Sequence, residues 1–214
     1  MPTLRLATLN LRDLQLPEQP THPNVRPWNR AEYEEKVAWT ATMVRRLDAD
    51  VLAFQELWTP RALHDVFGAA GLLDRHELVT TPSIDRVGDR TSVALAVRRP
   101  FGVRSSRWIS DVPAGVVLRK RPRPPPRADE EMSLAVPRFA RPILGVEVEG
   151  EGGPPLTVFA VHLKSRRPTD LDPEDQVVPE TARFATAIGQ ALAAARRAAE
   201  AVGLRALVDA ELRG

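Results

Sequence analysis

Three polar residues stand where hydrophobic strands run out. Asn10 follows Leu6-Ala-Thr-Leu9, Glu56 follows Val51-Leu-Ala-Phe54 with Gln55 between, and His162 follows Leu156-Thr-Val-Phe-Ala-Val161. In α/β folds the strand ends form a rim at which side chains from distant parts of the chain can meet. A carboxylate and an amide oxygen are the hard ligands that Mg²⁺ takes, and a histidine beside them can donate a hydrogen bond to a phosphate oxygen. The trio therefore points to phosphoryl chemistry. A metal and fixed donors offset the charge that grows on phosphate oxygens, and no covalent nucleophile is required.

Each of the three also has a plainer reading. Glu56 could pair with an arginine at the strand end. Asn10 could form a turn or a cap, since its side chain imitates the backbone. His162 could be a core histidine whose ring nitrogens are satisfied. His22, His64 and His76 have no strand-end setting and are expected at the surface. The chain has no cysteine, which excludes disulfides, Cys-ligated zinc and thiolate nucleophiles together.

The elements that must position the trio are legible from periodicity. The strand ending at Asn10 is followed by a Pro-rich loop, Leu16 to Pro27. Tyr33, Val37, Met43, Val44 and Leu47 then fall at helical spacing, with Asn29 as cap and Glu32, Glu34 and Glu35 near the helix's positive end. Asp48-Ala-Asp50 turns the chain into the short apolar burst before Glu56, which reads as a buried strand. Thr59-Pro60 opens a helix from about Arg61 to Ala70 that stops at Gly71. Glu77–Thr80 and Ser92–Val97 read as a hairpin-like pair across the polar turn Pro82–Arg90.

Further strands are predicted at Val103–Ile109 and Val116–Leu118. The Arg119–Arg127 stretch reads as an exposed polyproline-like loop, because its prolines lack ladder donors. Arg141–Val148 and Leu156–Val161 read as two antiparallel strands, Pro168–Pro179 as an acidic loop, and the residues from Thr181 onward as a long closing helix.

Composition narrows the function classes. The 30 basic residues nearly cancel the 28 acidic ones, so the net charge of +2 gives no bulk electrostatic case for nucleic-acid binding, and any anion site must be local. Arginine dominates the basic residues, with lysine only at positions 36, 120 and 164. The basic Arg119–Arg127 loop has no interleaved aromatics on which bases could stack and runs into acidic Asp129-Glu-Glu131, so it reads as solvated. At 43% hydrophobic and 27% charged residues the 214-residue chain suits one α/β domain. The first ten residues already alternate like a strand, with no signal sequence, so a cytoplasmic protein is expected. No run approaches the ~18 apolar residues of a membrane span.

Four segments taken together resemble the successive motifs of the endonuclease/exonuclease/phosphatase superfamily, the deoxyribonuclease I-like fold. They are Leu6-Ala-Thr-Leu-Asn10, Asp50-Val-Leu-Ala-Phe-Gln-Glu56, Thr91-Ser-Val-Ala-Leu-Ala-Val-Arg-Arg-Pro-Phe101 and Val161-His-Leu-Lys-Ser165. They occur in the family's order, and the likeness runs from about Leu4 to the C-terminus. The resemblance implies a four-layer α/β sandwich in one domain spanning residues 1–214, with two mainly antiparallel sheets packed face to face and flanked by helices. It implies a phosphoester hydrolase using Mg²⁺, or Mn²⁺ in its place. Glu56 would be the main metal carboxylate, Asn10 would support the metal or the phosphate, and His162 would stabilise charge on the scissile phosphate. Arg90 and Lys164 would contact substrate phosphate.

The sequence departs from the family pattern after the long helix. The family continues into a Gly-Asp-x-Asn segment and a terminal Ser-Asp-His segment, and neither follows Val208-Asp-Ala-Glu-Leu-Arg-Gly214. A C-terminally incomplete sandwich is therefore expected. Two readings stay open, a phosphodiesterase, nuclease or phosphatase scaffold acting on a phosphoester or nucleic acid, and an inactive relative that binds without catalysis. An uncovered sheet face would favour self-association.

Overall fold

Asn29 begins the first helix by closing a capping box. Its side chain accepts from the Glu32 backbone N–H at 3.0 Å, and the Glu32 carboxylate accepts from the Asn29 N–H at 2.8 Å. The helix, α1 (Arg30–Leu47), buries Tyr33, Val37, Ala41 and Val44 along one stripe and ends at Asp48, whose backbone is left-handed. In the computed structural model, residues 3–22, 24–81, 91–113, 117–120, 132–150, 153–171 and 183–213 are described. They fall into two compact units, Met1–Ile109 with Pro142–His162, and Ser110–Arg141 with Leu163–Gly214.

The first unit is built on a four-stranded sheet in the order β1-β2-β4-β3. Its strands are β1 (Leu6–Leu14), β2 (Val51–Leu57), β3 (His76–Val79) and β4 (Ser92–Arg98). β1 and β2 are parallel, which requires the α1 crossover, whereas β4 runs antiparallel to both β2 and β3. A second helix, α2 (Pro60–Ala70), starts with proline at its first turn and stops at Gly71, which accepts a left-handed φ of 68° without a Cβ clash. Tyr33 Oη donates to the Asp65 carboxylate at 2.8 Å and Arg45 to the Ala69 carbonyl at 3.1 Å, so α1 and α2 are tied to each other.

Both faces of this sheet are covered, which is why Val93–Val97 is buried without alternation. Leu52, Phe54, Ala94 and Ala96 pack against α1 and α2. Val51, Val93, Leu95 and Val97 pack against Leu144, Val146, Val148 and Ala160 of a second sheet. That sheet has the order β5-β8-β9, from β5 (Gly102–Asp111), β8 (Arg138–Glu149) and β9 (Leu156–Ala160), with Leu144 opposite Ala160 and Val148 opposite Leu156 in antiparallel register. The chain is thus a mixed α/β protein with two stacked sheets and helices on the outer face of the first. Each buried aliphatic or aromatic side chain contributes about 1.5–3 kcal/mol to holding these layers.

At the end of the first sheet away from Asn10, Asp50 accepts from the Arg5 backbone N–H at 2.8 Å. Arg98 closes on Asp50 through Nη2 and Nε and on Asp48 through Nη1. The hydrogen bond from Arg98 holds the Asp48 carboxyl below its ordinary range.

The second unit carries the hairpin β6 (Val117–Lys120) with β7 (Met132–Ala135) and the long helix α3 (Ala185–Glu211). Its centre is the fully buried Glu200 of α3. One carboxylate oxygen accepts from the Ala140 N–H and the other from the Lys164 N–H, each at 2.7 Å, and Arg196 Nε adds a bond at 3.2 Å. Buried carboxylates need such partners. Gly203 presses against Val112 and Phe139, where an added Cβ would lie 2.8 Å from Val112 Cγ1.

The hairpin-like pair, the antiparallel β8 and β9, and the closing helix match the pattern read from sequence. Three details differ. β1 continues through Asn10 to Leu14, because Leu11 and Leu14 re-enter the core. Arg119 and Lys120 belong to β6, while the Pro-rich remainder of that stretch lies outside the described residues. The start of the closing helix near Thr181 lies outside the described residues, so it is not among these differences, and α3 is described from Ala185. His76 is buried, stacked edge-on against Phe67. No helix among the described residues is long and apolar enough to cross a membrane.

Candidate functional site

In an unbroken β2, alternate residues would face alternate sides, so Glu56 would follow Leu52 and Phe54 into the layer beneath the helices. The strand avoids this with a bulge. Phe54 pairs with Ala94 and Leu57 with Ser92, so three steps along β2 oppose two along β4. The extra residue is absorbed at Glu56, whose φ is 60°. Leu57 takes the core position, and the carboxylate turns out to the rim.

β1 breaks step at the same level. Asn10 pairs with Gln55 and Leu14 with Leu57, so four steps oppose two, with Arg12 at φ 50° and Asp13 at φ 58°. Left-handed backbone at non-glycine residues costs of order 1–3 kcal/mol each and persists where surrounding packing enforces it. Here the buried side chains Leu11, Leu14, Phe54 and Leu57 do so.

The two bulges and the end of β9 bring the predicted trio together. Asn10 Nδ2 donates to Glu56 Oε1 at 2.9 Å, while Asn10 Oδ1 accepts from the Arg12 backbone N–H at 2.8 Å. Asn10 therefore shapes the turn and orients the carboxylate at once. His162, two residues past β9, places Nε2 at 3.7 Å from the same Glu56 oxygen. The side chains of His162 and Glu56 are 15% and 25% exposed, so both are partly buried. Below them Gln55 Nε2 donates to Thr8 Oγ1 at 3.0 Å.

Two further residues, Arg90 and Lys164, were candidates from the sequence. Arg90 lies outside the described residues. Lys164 belongs to the second unit, where its ammonium donates to the Arg167 carbonyl at 2.8 Å. Burial first, then Arg141 and Arg196, depresses its pKa. Its neighbourhood is held by α3, with Arg197 donating to the carbonyls of Lys164 and Ser165.

Sequence reasoning missed four residues beside the trio. Asp13 Oδ1 accepts from Trp58 Nε1 at 2.9 Å and lies 3.2 Å from His22 Nε2. Lys36 on α1 carries a depressed pKa, lowered mainly by burial and then by Arg12, and raised in part by Asp13 and Glu56. Arg12, Asp13 and Glu56 thus all act electrostatically on Lys36, and His22 joins them through Asp13. The one signal available was position, since Arg12 and Asp13 follow Asn10 directly.

Among the described residues no group of three or more His, Asp or Glu side chains is arranged to hold a metal ion. Mg²⁺ asks for less, because it keeps several waters and is held through one or two carboxylates plus substrate phosphate. Glu56 supplies one exposed-edge carboxylate and Asn10 an amide oxygen with a lone pair beyond its bond to Arg12, so the donor set fits that minimal mode.

No protein-family model matches the chain, and no curated protein matches it. Among solved structures it is similar to an endonuclease/exonuclease/phosphatase family protein from Bacteroides thetaiotaomicron, at 17% identity and a TM-score of 0.42. The match covers 73% of this chain and 49% of that one, so the chain spans about half the length of that protein.

Proposed function

We propose that the rim formed by Asn10, Glu56 and His162 hydrolyses a phosphoester with the help of a divalent cation, Mg²⁺ or Mn²⁺. The observation that carries this reading is the convergence of an amide and a carboxylate from two bulged strands with an imidazole just past the end of a third. Glu56 would be the anionic ligand and Asn10 would fix its rotamer. When bound, the cation would neutralise phosphate charge and make an attacking water more acidic. His162 Nε2 would donate to a non-bridging phosphate oxygen, where charge grows along the reaction. The superfamily resemblance of the four motifs supports the same assignment.

Turnover of phosphodiesters, nucleic acids and phosphomonoesters in Mg²⁺, measured for the wild type and Glu56→Ala, tests this. A loss of about 10²–10³-fold is expected on the scale of removing one charge-stabilising group. Equal turnover of the two proteins overturns the role of Glu56.

A second reading, a binding module without catalysis, is favoured because no group of three or more His, Asp or Glu among the described residues could hold a metal ion. Its expected outcome is phosphoester binding that Glu56→Ala weakens, with no turnover in either protein.

A further inference from the structure

On the α1 side of the rim lies a group that hydrolysis leaves unused. Lys36 precedes Trp39 by three residues, so both leave the helix on neighbouring surface. Trp28 stands immediately before the capping residue Asn29. Lys36 Nζ sits 5.3 Å from the centroid of the Trp39 ring and 5.9 Å from that of Trp28, within the range of cation–π attraction. Trp28 packs partly against the core, whereas Trp39 is 52% exposed. The charges that act on Lys36 are those of Arg12, Asp13 and Glu56, which places this ammonium within electrostatic reach of the candidate site.

An exposed indole alone is ordinary surface. Here it stands among Glu35, Lys36 and Thr42 on a polar helix face, which does not suit a lipid surface or an apolar protein partner. The combination of a half-exposed indole, a cation held against its ring from the same helix turn and a second cation, Arg12, on the adjoining bulge suits a ligand that is planar at one end and anionic at the other. Bases stack on such rings irrespective of sequence, while basic groups track the backbone.

We propose that Trp39, Lys36 and Arg12 form a base-stacking subsite beside Glu56 for single-stranded nucleic acid, with a base on the Trp39 ring and its phosphate against Lys36 and Arg12. The proposal rests on the phosphoester reading of Glu56 and names its substrate class.

The test measures binding without turnover, by fluorescence anisotropy in EDTA, using labelled oligothymidylate and an abasic deoxyribose-phosphate oligomer of equal length and charge. The wild type is expected to bind the thymidylate about 5- to 150-fold more tightly per stacked base. Trp39→Ala brings that affinity down to the abasic level, and Trp39→Phe restores part of it. Lys36→Gln lowers the slope of log affinity against log salt by about 0.7. Equal affinity for the two oligomers, or unchanged thymidylate binding in Trp39→Ala, overturns the subsite. Thymidine monophosphate binding as tightly as the oligomer also overturns it, since the ligand would then be a free nucleotide. Stacking that survives in a protein without turnover leaves the subsite standing and removes the hydrolytic reading alone.

Discussion

Asn10 Nδ2 meets Glu56 Oε1 at 2.9 Å because the two neighbouring strands that carry them break step at the same level. Neither strand could do this alone. Without the β2 bulge Glu56 would face the helices, and without the β1 bulge the chain could not hold Asn10 at the rim and return Leu14 to the core.

The bulge makes the backbone at position 56 costly for any residue with a Cβ. Glu56→Ala keeps a side chain in a left-handed conformation, whereas Glu56→Gly removes the Cβ that makes it costly. Glu56→Gly is expected to be about 1 kcal/mol more stable than Glu56→Ala in urea unfolding. Equal midpoints would show that the backbone at Glu56 is relaxed.

Glu200 is expected to hold the second unit together. Glu200→Leu leaves the Ala140 and Lys164 N–H groups without their buried acceptor and should cost about 3 kcal/mol. Hydrogen exchange checks the cause as well as the size, since these two amides should lose protection first. A loss of stability without faster exchange at either amide contradicts the assignment.

Gly203→Ala sets helix propensity against packing. Alanine favours the helix by about 1 kcal/mol, but its methyl would enter the contact with Val112 and Phe139, an overpacking that costs about 1–3 kcal/mol. Net destabilisation by about 1 kcal/mol is expected in thermal or chemical melts. A stabilised variant would mean that the contact yields.

His76 makes stability depend on pH. Burial lowers its pKa below the ordinary 6.5, offset in part by its bond to the Leu72 carbonyl. Below that ordinary value the unfolded imidazole takes a proton that the folded one still refuses, so the unfolded state binds more protons and stability falls as pH drops. The loss ends once pH passes the depressed folded value. His76→Leu should flatten this part of the profile relative to the wild type, and parallel profiles would remove the assignment.

The layers and the trio were legible because each rests on a local rule. The capping box at Asn29, the proline and glycine that bound α2, and the apolar runs before Glu56 and His162 are written in consecutive residues. The bulges are not. Nothing local in Leu11-Arg-Asp-Leu14 announces two left-handed residues, since neither Arg12 nor Asp13 is glycine, and the conformation arises from which leucines the core accepts. Lys36, Asp13 and His22 were invisible for a related reason, because their meeting depends on how those bulges redirect the chain. His76 was misplaced because a single histidine beside Arg75 gives no sign of the Phe67 ring against which it packs.

The paired bulges can be regarded as a phase shift in a two-stroke pattern. Deleting Glu56 would restore the beat, with Leu57 moving up one place and keeping its inward direction. Such a chain would retain its core lining and lose only the outward carboxylate. It would be the same sheet with Asn10 and His162 but no carboxylate between them, and the comparison would separate what Glu56 does from what the scaffold does.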